Sequence, residues 1–290
     1  MFTGAIVALI TPFRDGQVDF ETLDELVAFQ IENGIDGISP VGTTGESPTL
    51  SHEEHKKVIE RVVKTVAGRV PVIAGAGSNS TAEAIELAAF SKKVGADATL
   101  QVDPYYNKPT QEGFYQHFKT IAEEVDLPMV LYDIPGRCGA GMTADTIVRL
   151  AEIENIVAIK DATGSLDHVS EIATRCDLTI LSGDDSLTLP MASVGGKGVI
   201  SVVANIVPAD VKAMTDLILE DDLVSARQWH NKLFALSKGM LTLATNPIPI
   251  KAAMAMLDMA PEEMRLPMVP MEESKKAVLR EALKAYGLLG

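Results

Sequence analysis

Eight apolar runs, each about the length of a β-strand, recur along this chain with amphipathic helical stretches between them. They are "AIVALIT" (5–11), "GISPV" (37–41), "PVIAGAG" (71–77), "ATLQVDP" (98–104), "MVLYDIP" (129–135), "IVAIKDA" (156–162), "LTILSGDD" (178–185) and "GVISVVAN" (198–205). Of the intervening stretches, "DFETLDELVAFQIENG" sets Leu23, Leu26, Val27 and Ile31 at helical spacing, and "TAEAIELAAFSKKVG" opens at Ser80 or Thr81 and closes at Gly95. A helix after each strand returns the chain to start the next strand in the same direction, so the sheet is parallel. Eight such units close a TIM barrel, typically of about 250 residues. The main alternative, a doubly wound open sheet, usually carries a G-x-G-x-x-G turn after its first strand, and "ALITPFRDG" has none. The expectation is an α/β chain: a (β/α)8 TIM barrel over residues 1–225 and a C-terminal helical extension over 226–290 packed on it. Residues 208–238 are long enough for two helices. "NPIPIKAAMAML" and "SKKAVLREALKAYGLL" follow, and "APEEMRLPMVP", with three prolines, is an extended connector between those two.

A hydrophobic content of 47% in 290 residues supports a sizeable folded core. The formal charge of −15, from 40 acidic and 25 basic residues, argues against nucleic acid or an anionic membrane as the main partner. An anionic substrate would have to be held by a few local cations. The opening "MFTGAIVALITPF" has no basic residue and breaks at Thr11-Pro12, so it reads as a strand rather than a secretory signal. No apolar run approaches a membrane span. Cys138 and Cys176 are the two cysteines, which suits free thiols in a reducing cytoplasm.

In a barrel, chemistry gathers at the C-terminal strand ends. Lys160 stands there in "NIVAIKDATG", on an alternating face with Ile156, Ala158 and Ala162 that offers it no opposite charge. Tyr132 holds the matching place on the preceding strand, sharing a face with Val130 and Ile134. "GTTGES" (42–47) and "PYYN" (104–107) follow other strands at the same end, and Arg137 lies just beyond Tyr132. One amine, several hydroxyls and a guanidinium on one rim point to a Schiff-base site. A free lysine amine, of pKa about 10.4, is less than about 0.1% neutral at pH 7. Burial among Ile156, Ala158 and Ala162 would lower that value. Other motifs are weaker. "GTTGES" lacks the Gly-Lys-Ser/Thr of a phosphate loop. "HEEH" (52–55) has the wrong spacing for a zinc helix, and the two carboxylates of "SGDD" fall short of a Mg²⁺ ligand set. His117, His168 and His230 have no partners that the sequence identifies.

These same segments, "GAIVALITPF", "GTTGES", "PYYNKP", "YDIPGR", "IKDATG", "LSGDD" and "GVISV", resemble the dihydrodipicolinate synthase family over nearly the whole chain. That family lies in the pyruvate-dependent aldolase superfamily, which also holds N-acetylneuraminate lyase. The two threonines of "GTTGE" favour the synthase. The resemblance implies that Lys160 forms an imine with pyruvate. Tyr132 would relay protons with Thr43 and with Tyr106 from a neighbouring subunit, and Thr44 would grip the pyruvate carboxylate. Arg137 would hold the carboxylate of L-aspartate 4-semialdehyde, while Gly183 and Ile200 line the pocket. It implies a lyase of lysine (diaminopimelate) biosynthesis needing no metal or organic cofactor, assembled as a dimer or as a tetramer of two tight dimers. A sister aldolase acting on another second substrate and a non-catalytic small-molecule sensor are the alternatives. Asp133 departs from the asparagine usual after the relay tyrosine, and would raise neighbouring pKa values or pair with Arg137.

The resemblance further implies inhibition by L-lysine in a cleft at the tight-dimer interface, formed by Ser47, Pro48, His52, His55, Asn79, Glu83 and Tyr105. Glu83 suits a ligand ammonium, Asn79 and Tyr105 its carboxylate, and the two histidines lie one helical turn apart. Pro48 replaces the alanine common there.

Overall fold

A computed structural model describes residues 2–290. Its strands are β1 (Gly4–Ala8), a short hairpin of β2 (Phe13–Arg14) and β3 (Gln17–Val18), β4 (Gly37–Ser39), β5 (Ile73–Gly75), β6 (Ala98–Val102), β7 (Met129–Asp133), β8 (Ile156–Asp161), β9 (Thr179–Ser182) and β10 (Gly198–Ser201). Eight of them form one sheet in the order β4-β1-β10-β9-β8-β7-β6-β5, and the pairings are parallel. A parallel bridge between Ile38 and Val72 joins β4 to the approach of β5 and closes the ring. The expected barrel is therefore present.

Helices fill the gaps between strands: α1 (Phe20–Glu32), α2 (His52–Val66), α3 (Thr81–Val94), α4 (Gln111–Glu124), α5 (Pro135–Cys138), α6 (Ala144–Leu150), α7 (Leu166–Ala173), α8 (Thr188–Ala192) and α9 (Pro208–Leu219). Then come α10 (Leu223–Thr242), α11 (Ile248–Met256) and α12 (Glu273–Tyr286). Local chemistry sets their starts. The Asp19 side chain accepts from the Thr22 N–H at the start of α1, and Ser51 and Glu54 form a reciprocal capping box on α2. Ser80 occupies the cap position of α3 without a capping side-chain bond, and Gly95 closes that helix in the left-handed conformation at φ +90°. The proline-containing segment after α11 forms neither helix nor strand, and it is not extended throughout as expected: it turns at Leu266 and Pro267, where the Met268 N–H donates to the Arg265 carbonyl at 3.0 Å. Among the described residues, no helix is long and apolar enough to cross a membrane.

Strand alternation sorts the core into layers. Ile6, Ile73, Leu100, Val130, Tyr132, Ala158, Leu181 and Ile200 pack inside the barrel. A second layer, between strands and helices, includes Met129, Leu131, Ile159 and Ile180 against Phe114, Phe118 and Ile147. A third cluster fastens α10–α12 through Leu236, Met240, Ile250, Met254, Leu279 and Leu283 to the side of the barrel formed by β1, α1 and α9.

Strict alternation fails between β7 and β8. The β7–β8 register steps from Met129↔Ile156 to Val130↔Ala158, so Val157 is an extra residue. Ile156 consequently packs in the outer layer, not beside Lys160 as alternation implies, while Val157 packs against the interior. Beyond this irregularity Tyr132 pairs in register with Lys160.

Candidate active site

Lys160 points into the barrel near the C-terminal end of β8 and is only 5% exposed. Its Nζ lies 4.1 Å from the centroid of the Tyr132 ring. Burial pulls the amine down to about 7, with the nearby Arg137 charge adding to the effect and Asp185 opposing it. At that value about half of the amine is neutral at pH 7, against under about 0.1% for a solvated lysine. The alternating strand face offers the amine no counter-charge of its own. Asp185 corrects this: buried after β9, it accepts from the N–H groups of Val202 (2.9 Å) and Val203 (3.2 Å) and from the Ser201 hydroxyl. Burial nevertheless pushes its carboxyl up to about 6. A buried acid and a buried base thus sit near neutrality in one compartment.

Neighbouring strand ends complete the rim. Burial raises the Tyr132 phenol to about 12, and the Thr43 side chain and the Arg137 charge act in the other direction. Gly183 leaves no room for a side chain: a Cβ there would lie 2.7 Å from that of Ala162 and 3.2 Å from the Lys160 Cε. Ile200 packs in the barrel interior. The loop after β4 turns sharply to present Thr43 and Thr44. Val41 and Glu46 adopt positive φ (+50° and +54°), and a Cβ on Gly45 would meet the Val41 backbone at 2.9 Å. Asn246, which sequence reasoning missed, ties this loop to Arg137. Its amide donates to the Thr44 hydroxyl (3.0 Å), and the Arg137 guanidinium donates to its carbonyl (2.9 Å). A cavity of about 200 Å³ opens beside Thr43, Arg137, Asn246 and Met268. The structure therefore brings Lys160, Tyr132, Thr43, Thr44, Arg137, Gly183 and Ile200 to one end of the barrel. Tyr106 stands apart, 89% exposed on a backbone at φ +75°.

A separate cavity of about 240 Å³ is lined by Ser47, Pro48, His52, His55, Glu83 and Tyr105, six of the seven residues that the resemblance assigns to a lysine cleft. Asn79 is not in its lining; its amide donates to the Tyr105 carbonyl at 3.1 Å. Glu83 already has partners, the His52 imidazole at 2.6 Å and the Ser78 hydroxyl. His55 is buried, and its Nε2 is 2.7 Å from the Gly75 carbonyl. A carbonyl can only accept, so that nitrogen carries the proton, and burial holds the ring below the usual histidine range.

Two further expectations change. His117 and His168 have partners after all: Thr81 bonds the first at 2.9 Å and the Asp161 carboxylate the second at 2.9 Å. Of the two roles expected of Asp133, pairing with Arg137 is not found, whereas raising a neighbour's pKa is. Asp133 is fully buried facing Asp103, which burial and the Asp133 charge push up to about 10, and burial also raises Asp133 itself. Both Asp133 oxygens and one Asp103 oxygen lack a donor, as expected where two carboxyl groups share a proton. Cys138 donates from its thiol to the Asp103 carbonyl at 3.3 Å. Among the described residues, no group of three or more His, Cys, Asp or Glu is arranged to hold a metal ion.

The carboxyl pair makes stability depend on pH. A carboxyl whose folded pKa lies above its unfolded value of about 3.9 supports the fold fully below that pH and loses this contribution as pH rises. For Asp103 the window extends from about 4 to about 10. Asp133→Asn removes one charge and supplies an amide donor, so stability at pH 8 should rise by about 1–3 kcal/mol. Thermal melts at a series of pH values check this: the alkaline decline should flatten, and an unchanged slope would show that the pair shares no proton.

Comparison with known proteins agrees with this geometry. The model of the Dihydrodipicolinate synthetase family matches residues 1–286. A protein of Pelobacter propionicus named 4-hydroxy-tetrahydrodipicolinate synthase is 54% identical over 291 residues, covering all of both chains. The crystal structure of the chloride-inhibited dihydrodipicolinate synthase of Acinetobacter baumannii complexed with pyruvate superposes with a TM-score of 0.97 at 45% identity, covering all of both chains. That of the Cyanidioschyzon merolae enzyme with lysine bound gives 0.96 at 44% identity over 99% of each. With its barrel, its buried amine and a match of this extent, the chain belongs to the dihydrodipicolinate synthetase family, enzymes of the lyase class and of the class I aldolase type.

Proposed function

We propose that this protein condenses pyruvate with L-aspartate 4-semialdehyde through a Schiff base on Lys160, the committing step toward diaminopimelate and lysine. The observation that carries the reading is the amine of Lys160, buried under the Tyr132 ring with a pKa near 7. Neutral Lys160 adds to the pyruvate ketone carbon. Tyr132 and Thr43 move the proton that lets water leave, giving an iminium. The iminium withdraws electrons from the adjacent methyl group, which loses a proton to form an enamine. The enamine carbon bonds to the semialdehyde carbonyl carbon, whose oxygen takes up a proton. The amine of the second substrate then adds to the iminium carbon and displaces Lys160, closing the six-membered ring. Thr44 would hold the pyruvate carboxylate and Arg137 that of the second substrate, which matters in a chain of charge −15. The pyruvate complex of the Acinetobacter relative supports the first substrate.

Reduction with borohydride in the presence of pyruvate should leave a stable adduct on Lys160 that Lys160→Ala abolishes. A coupled assay should respond to aspartate semialdehyde and not to N-acetylneuraminate. Activity with sialic acid instead would assign the sister lyase, and a label on Lys197 or Lys251 would overturn the site.

The exposure of Tyr106 fits a side chain whose site lies on another subunit, so the relay would be completed across a tight dimer. Sedimentation at assay concentration should show a dimer or larger. A fully active monomer would rule out the shared relay.

The 240 Å³ cavity suits an amino acid as feedback inhibitor, and lysine bound to the Cyanidioschyzon relative supports L-lysine. Its ammonium would have to displace the His52 imidazole from Glu83, exchanging one partner for another. Glu83→Ala should therefore weaken lysine inhibition by about tenfold or more, the value of a charge-assisted hydrogen bond of about 1.5–3 kcal/mol, while uninhibited turnover stays near the wild-type value. Equal inhibition of variant and wild type in dose–response curves would dismiss this cleft.

A further inference from the structure

The loop that presents Thr43 and Thr44 is held from outside the barrel by a buried ion pair. The Glu46 and Lys251 side chains are 2% and 0% exposed, and their charged groups are in direct contact. Lys251 stands on α11, some two hundred positions along the chain from Glu46. Its ammonium also donates to the Glu263 carbonyl at 2.9 Å and lies 4.3 Å from the centroid of the Phe13 ring. The second Glu46 oxygen accepts from the Arg265 N–H at 3.3 Å. Arg265 continues the bracket: its guanidinium stacks 4.6 Å from the same Phe13 ring and forms two bonds to Glu54, of 2.8 and 2.6 Å. Both oxygens of Glu46 are thus held by the segment that follows the barrel.

Glu46 is poorly suited to its backbone conformation, φ +54°, where glycine or asparagine is at ease. Such a conformation persists where the surroundings over-determine it. Here they do so beside the threonines: the Glu46 N–H donates to the Thr43 carbonyl at 3.1 Å, and the Thr11 hydroxyl to the Gly45 carbonyl at 2.7 Å. A buried ion pair adds little stability over a packed apolar pair of the same size, but two buried charges that must stay together constrain where their two elements meet.

We propose that the Glu46–Lys251 pair positions the Thr43–Thr44 loop for pyruvate, so that α11 sets the geometry of the first substrate site. This rests on the pyruvate reading above. Arg137 is bonded to the Asn246 backbone carbonyl and meets the loop indirectly, through the Asn246 side-chain amide on the Thr44 hydroxyl, so the second substrate should be less affected than the first.

The test is the double variant Glu46→Gln/Lys251→Met, which removes both charges and leaves no lone buried ion. Folded protein is confirmed by circular dichroism and by its sedimentation. The expected result is a rise in the pyruvate KM of about tenfold or more, as for a misplaced binding group. The KM for aspartate semialdehyde should stay within about twofold, and borohydride at saturating pyruvate should still label Lys160. If the folded double variant keeps both KM values, the pair supports the fold alone and the proposal is wrong. Should that variant not fold, the near-isosteric Glu46→Gln is titrated by borohydride trapping against pyruvate concentration. A half-saturation equal to that of wild type overturns the proposal, and a rise of about tenfold supports it. Wild type that is not trapped by pyruvate at all would instead refute the proposed function, a failure separate from this one.

Discussion

The site depends on one act of exclusion: the barrel keeps water away from the amine of Lys160. Solvation stabilises an ammonium far more than a neutral amine, so removing water shifts the balance toward the nucleophilic form. Here this is done by Ala158 and Leu181 in the barrel interior and by the Tyr132 ring above. The step at Val157 serves the same end, since beyond it Lys160 comes into register with Tyr132. Asp185 limits the effect. Buried without compensation, the amine would fall further; a carboxyl tied to two backbone N–H groups and a hydroxyl keeps a proton exchangeable near neutral pH.

An acidic chain and the proposed site for carboxylate substrates are compatible because electrostatics in a recess is local. A net charge of −15 spread over the surface acts through water and salt, and is screened beyond about 8–10 Å. Arg137, by contrast, acts on Lys160 and Tyr132 directly, adding to the effect of burial at Lys160 and opposing it at Tyr132. One guanidinium in the right place counts for more at the rim than the excess of carboxylates outside it. The interior adds its own restraint. Burial raises the carboxyl groups of both Asp103 and Asp133, so the pair places less negative charge behind the Arg137 loop than two ionised groups would.

The barrel was legible because its signal is periodic and repeated. Apolar strands and amphipathic helices recur eight times, and strand ends identify the functional rim without any knowledge of contacts. Lys160, Tyr132 and the "GTTGES" loop could be found this way. What escaped were pairings between residues far apart in sequence. Asn246 with Thr44, Lys251 with Glu46 and Asp103 with Asp133 each join segments whose own patterns say nothing of the other. His117 and His168 looked unpartnered for that reason, although each has a hydrogen bond. The displaced Ile156 is a different kind of miss. A bulge leaves composition unchanged and moves one residue across the sheet, so strict alternation misplaces it.

A single loop has to meet several of these demands together. Within six residues, Thr43 faces the catalytic recess, Glu46 is gripped by α11 and the following segment, and Ser47 and Pro48 line the second cavity. Each demand alone could be met by a flexible turn. Together they require a backbone with little freedom, which accounts for the positive φ of Val41 and Glu46 and for the tight approach of Gly45 to Val41. A stiff segment bordering two cavities cannot shift at one without moving at the other, because packed elements transmit displacement rather than absorb it. If the second cavity takes the proposed inhibitor, its coupling to the barrel site needs no pathway through the core: a ligand that moved Ser47 and Pro48 would act on the same short piece of backbone that carries Thr43 and Thr44.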